Sequence, residues 1–98
     1  MYQLYITKGE YEPWWFFDDW KTMIIKESSF TNLNEARETY KQIVTEWTQT
    51  YPNQKSKNPY LTAFWDEEEM AYCESCSDDI QIYHGIMILK DDSILNES

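Results

Sequence analysis

The sequence predicts a single α+β domain, with one long helix packed on one face of a mostly antiparallel sheet of four to five strands. Three observations point there. An apolar stripe at helical spacing runs through the middle of the chain, from Leu33 to Tyr51. Short segments rich in β-branched and aromatic residues lie on both sides of it. The 98 residues are 42% hydrophobic and 17% aromatic, which suits one packed core and excludes a disordered chain.

The elements are expected in the order strand, strand, helix, strand, strand, within a domain spanning 1–90. Tyr2-Gln3-Leu4-Tyr5-Ile6 is rich in strand formers and ends at Lys8-Gly9, a turn signal. Thr22 to Phe30, opening on Met23-Ile24-Ile25, reads as the second strand. The helix follows: Leu33, Ala36, Tyr40, Ile43, Val44, Trp47 and Tyr51 recur at steps of three and four. Asn32 with Glu35 three residues on fits a capping box, and Pro52 stops the helix. Pro52 to Pro59 reads as a polar connection, and Tyr60 to Trp65 as the third strand. A short extra strand is expected near 70–73. Ile80 to Leu89 reads as the last strand, apolar on both faces in its second half and therefore central. Residues 91–98 are a polar tail expected to fray. The two glycines and three prolines read as punctuation.

Charge divides the chain unevenly. Eight basic against eighteen acidic residues give a net charge of −10, and residues 60–98 hold ten of the acids with Lys90 as their one base. Asp66, Glu67, Glu68, Glu69, Glu74, Asp78 and Asp79 form a dense acidic stretch. Such a surface repels phosphate, so direct binding to nucleic acid is not expected, nor is binding to an anionic membrane. A basic protein partner is compatible with it, since complementary charge speeds encounter. A solvated face that keeps the protein soluble is the plainer reading of the same acids. The N-terminus lacks the basic-then-apolar layout of a signal peptide, and no apolar run approaches the ~20 residues of a membrane span. A cytoplasmic protein is the expectation.

Trp14, Trp15, Phe16, Phe17 and Trp20 crowd five rings into seven positions. Neither strand nor helix periodicity places them all on one face. Some must cover a second surface of the domain or stay partly exposed. Each ring offers ~150–250 Å² of contact area, so exposed members would form a binding patch.

Cys73-Glu74-Ser75-Cys76 admits three readings. Zinc would take Cys73, Cys76 and His84, the single histidine, but a structural site wants four ligands. Asp78 or Asp79, or a second chain, would have to complete it. Thiol redox chemistry needs a depressed pKa, which Glu74, Asp78 and Asp79 oppose. Two reduced thiols packed in a turn need nothing further, and no cofactor is then implied. No nucleophile elbow, phosphate-cradling glycine loop or HExxH is present, so no catalytic residue is assigned and an enzyme is not expected.

The block Glu12-Pro13-Trp14-Trp15-Phe16-Phe17-Asp18-Asp19-Trp20 resembles a family of small proteins of low-GC Gram-positive bacteria, catalogued as domain of unknown function 1033. Ala63-Phe64-Trp65, Tyr72 to Cys76 and Gln81-Ile82-Tyr83-His84-Gly85 fit the same family in order and spacing. The resemblance implies a cytoplasmic bacterial or phage-borne protein and implies no activity. The leading expectation is therefore a non-enzymatic protein that binds a protein partner. Its contacts would be Trp14, Trp15, Phe16, Phe17 and Trp20 with Asp66 to Glu69, Asp78 and Asp79. An acidic inhibitor that imitates nucleic-acid charge, of anti-nuclease or anti-CRISPR type, is one special form. A zinc or thiol-redox module on the CxxC is the other alternative.

Overall fold

The computed structural model describes residues 1–15, 20–73 and 78–94. The central stripe forms helix α1, Leu33–Thr50. Its start is set by Asn32, whose side-chain oxygen accepts the Asn34 N–H at 2.7 Å. At its end Tyr51 turns extended while its N–H still reaches the Trp47 carbonyl at 2.8 Å. Pro52 then forbids another turn.

The main sheet is antiparallel. From one edge to the other it runs β2 (Ile24–Phe30), β1 (Tyr2–Gly9), β7 (Tyr83–Lys90), β4 (Leu61–Trp65) and β3 (Asn53–Asn58). A two-residue strand β8 (Ser93–Ile94) folds back on the end of β7. β5 (Met70–Cys73) and β6 (Asp78–Gln81) form a separate two-stranded hairpin. The expected α+β domain is present: one long helix on an antiparallel sheet of five to six strands, plus this hairpin. β7 is central, as its two apolar faces require, and pairs with β1 from Tyr2↔Lys90 to Gly9↔Tyr83.

Five features depart from expectation. Thr22 and Met23, expected to open the second strand, belong to a 3-10 turn, and β2 begins at Ile24. Asn53–Asn58 is a strand rather than a polar connection. It lies at a sheet edge and needs no apolar face to pair with β4, and Ser56 and Thr62 add a hydroxyl contact of 2.9 Å. The expected strand Ile80 to Leu89 is two, parted at Ile82, whose N–H donates to the Glu69 carbonyl. Alternation continues across the break while the pairing partner changes from β5 to β1. Asp91 to Ile94, expected as fraying tail, make a tight turn and β8. Asp91 and Asp92 both take left-handed backbone, with φ of 50° and 62°, as the tight hairpin turn matched to strand twist demands. Gly85 lies within β7 and punctuates nothing.

Strand alternation gives the sheet two apolar faces. Leu4, Phe64, Ile86 and Ile88 meet Ala36 and Tyr40 of the helix, forming the larger core. Tyr5, Leu61, Met87 and Leu89 point the other way and are covered by Trp14, Trp20 and Ile24. Apart from Ile24, the first residue of β2, that second cover comes from two short 3-10 turns, Pro13–Trp15 and Trp20–Met23. Both glycines permit its close approach. A Cβ on Gly85 would lie 2.6 Å from Pro13 Cγ and against Thr7 Oγ1; one on Gly9 would meet the Met23 side chain.

Candidate functional site

The aromatic segment divides its labour. Trp14 and Trp20 pack on the sheet, and Trp20 meets Tyr5 edge-on with centroids 5.8 Å apart. Trp15, between them, is 57% exposed. Its indole N–H donates to Glu12 Oε2 at 2.5 Å. The Glu12 carboxylate also accepts from the Tyr83 hydroxyl, and burial, then the charge of Glu12 and this bond, hold the Tyr83 pKa above its ordinary value. Tyr83 in turn sits edge-to-face with Trp65, centroids 5.4 Å apart. Trp15, Glu12, Tyr83 and Trp65 thus make one continuous strip, on the sheet face away from the helix. Phe16 and Phe17, also expected in this cluster, lie outside the described residues.

Trp65 leads directly into the acidic stretch. Asp66 folds it into a turn: its carboxylate accepts the Glu68 N–H and its carbonyl accepts the Glu69 N–H, both at 2.9 Å. Glu67 and Glu68 are left exposed at the turn. The Gln81 amide nitrogen clamps this base by donating to the carbonyls of Asp66 (2.7 Å), Glu69 (3.0 Å) and Ile82 (3.1 Å). The hairpin beyond it presents Met70 and Tyr72, 47% and 67% exposed, from alternate positions that share a face. Asp79 pairs across from Tyr72 and is also exposed; Asp78 pairs with Cys73. The structure therefore joins part of the early aromatic block to the late acidic block, with bare apolar side chains among the acids.

Glu69 has a different role from its neighbours. Its Oε1 lies 2.5 Å from His84 Nε2. His84 is buried, stacked on Tyr51 at 4.7 Å and edge-on to Trp47 at 6.2 Å. Burial, then the charge of Glu69, raises the Tyr51 pKa. This polar contact ties the hairpin base to the helix-covered core. It also bears on the metal reading. Cys73 is at the far end of β5 from Glu69, about 10 Å beyond Met70 at ~3.3 Å per residue. His84 is thus committed at one end of the hairpin while Cys73 lies at the other. Cys76 lies outside the described residues. Among the described residues, no group of three or more His, Cys, Asp or Glu is disposed to hold a metal ion.

Glu12, Trp65, Met70, Tyr72 and Tyr83 are the site residues that sequence reasoning passed over. Trp65 and Tyr83 carry a signal, since each falls on the strand face opposite the helix-facing residues. Glu12 carries none, because its two partners are joined to it only by the fold.

Among the described residues no helix is long and apolar enough to cross a membrane. The family model described as "Protein of unknown function (DUF1033)" matches residues 1–98, and the chain belongs to that family. No curated protein and no solved structure matches it.

Proposed function

We propose that this member of the family is a non-enzymatic cytoplasmic protein that binds a basic protein partner. The contact surface is the strip Trp15–Glu12–Tyr83–Trp65 together with the adjoining turn Asp66–Glu68 and the hairpin side chains Met70, Tyr72 and Asp79. The observation that carries this reading is the continuity of that strip with the acidic turn, so that partly exposed rings and carboxylates lie side by side. Rings would supply contact area, and a cationic side chain over an indole or phenol face gains further. Carboxylates would steer encounter and select against acidic partners. The net charge of −10 supports a partner that is a protein rather than a nucleic acid.

The test is affinity capture from the native cytoplasm, run in parallel on three baits. These are the wild-type chain, Trp15→Ala, and a variant carrying Asp66→Asn, Glu67→Gln and Glu68→Gln. The expected result is a basic protein retained by the wild type at low salt, released as salt rises, and lost from both variants. Retention of the same proteins by all three baits contradicts the proposal, as does a wild-type bait that retains nothing.

A further inference from the structure

The helix side of the molecule carries a feature of opposite sign. Between α1 and the turn joining β3 to β4 is a cavity of about 120 Å³ lined by Arg37, Tyr40, Lys41, Pro59 and Tyr60. Arg37 is the chain's single arginine, and Lys41 stands one helical turn beyond it. No carboxylate lines the cavity. Eighteen acids are available in the sequence, yet neither Arg37 nor Lys41 makes an ion pair among the described residues. Lys41 also borders a neighbouring cavity with Glu38 and Glu46 but pairs with neither, so an anion seated between Arg37 and Lys41 would give both cations a partner. The remaining walls are a proline and two buried tyrosines, which hold the local dielectric below that of water and strengthen such an interaction. The Tyr40 hydroxyl is occupied by Thr62 at 2.6 Å, so recognition falls to the two cations.

We infer that this cavity is a binding site for a small phosphate-type dianion, held by the guanidinium fork of Arg37 and the ammonium of Lys41. A planar fork takes two oxygens of a phosphoryl group at once, and Lys41 supplies a second, point-like charge. The volume suits a phosphate or the head of a phosphomonoester. It is well below the roughly 300 Å³ at which ordinary pockets for larger ligands begin, so a nucleotide base and sugar would remain outside. The site faces away from the strip of Trp15 and Trp65 and does not depend on the proposal made for that strip.

Amide NMR of the intact chain, titrated with inorganic phosphate at constant ionic strength against sodium chloride, tests it. Saturable shifts are expected at Arg37, Lys41 and Tyr60, larger at pH 8 than at pH 6 because the dianion is the preferred form. Arg37→Gln should weaken the apparent affinity by about tenfold, the size expected for losing a charge-assisted hydrogen bond. Arg37→Lys should fall between that variant and the wild type, and Lys26→Gln, on the far edge strand, should match the wild type. Phenyl phosphate in place of phosphate should shift the same amides. Shifts that never saturate, that spread evenly over Lys8, Lys26, Lys55 and Lys90, or that survive Arg37→Gln unchanged would overturn the inference.

Discussion

The two faces of the central sheet are covered in different ways. On one side a regular helix of 18 residues lays a single stripe over Leu4, Phe64, Ile86 and Ile88. On the other, an irregular segment built of 3-10 turns lays Trp14 and Trp20 over Tyr5, Leu61, Met87 and Leu89. Periodic cover turns its polar side chains outward as a matter of geometry. Irregular cover has no such rule: it half-buries two indoles, leaves Trp15 bare between them, and relies on glycines and individual polar ties for its placement. The lesson is that the regular cover and the exposed aromatic strip lie on opposite faces of one sheet.

Breaking the regular side should cost most. Phe64 is wholly buried and carries Trp47 and Tyr51 against it, with centroids 5.5 and 6.2 Å away. Phe64→Ala should destabilise the fold by about 3–5 kcal/mol in a denaturant titration. The irregular side has its own weak point at Gly85. Gly85→Ala forces a methyl against Pro13 and Thr7 and should cost about 1–3 kcal/mol. It should also shift tryptophan fluorescence, because Pro13 opens the turn that carries Trp14 and Trp15.

The regular side also has a loss that depends on pH. Burial pushes the Tyr40 phenol up to about 12, against the lowering effect of its Thr62 hydrogen bond. A pKa raised in the folded state means stability fully present below the ordinary value near 10 and lost as pH rises through about 12. Tyr40→Phe should remove that part of the alkaline loss, read as a higher pH midpoint of unfolding than wild type.

A smaller effect belongs to the tie between the first strand and the last turn. The Tyr5 hydroxyl donates to Asp92 Oδ1 at 2.5 Å, and Lys21 lies 3.3 Å from the other oxygen. The bond from Tyr5, then the charge of Lys21, keeps the Asp92 carboxyl below its ordinary range, and burial raises Tyr5. Tyr5→Phe should cost about 0.5–1.5 kcal/mol, measured by thermal unfolding at neutral pH.

The regular side was also the legible one. Helix α1 could be read from seven apolar residues, Asn32 and Pro52, because periodicity and capping are local properties of sequence. The central place of β7 followed from its two apolar faces. Asn53–Asn58 was illegible because an edge strand can pair through backbone alone. The turn at Asp91-Asp92 lacked the glycine that marks most turns of its type, and two aspartates take left-handed backbone in its place. In the candidate site, Trp15 and the acids from Asp66 onward were visible as composition. Glu12 bonding Tyr83 and Glu69 bonding His84 were not, since each joins segments that only the finished sheet brings together.

Trp15 separates the two kinds of surface most sharply, so Trp15→Ala, followed for stability and for partner capture on the same preparation, is the most direct measurement. Unfolding free energy should stay within about 0.5 kcal/mol of wild type, as for an exposed side chain, while the captured basic protein is lost. A fall in stability of several kcal/mol, or unchanged capture, would show that the ring serves the core and that the recognition surface lies elsewhere.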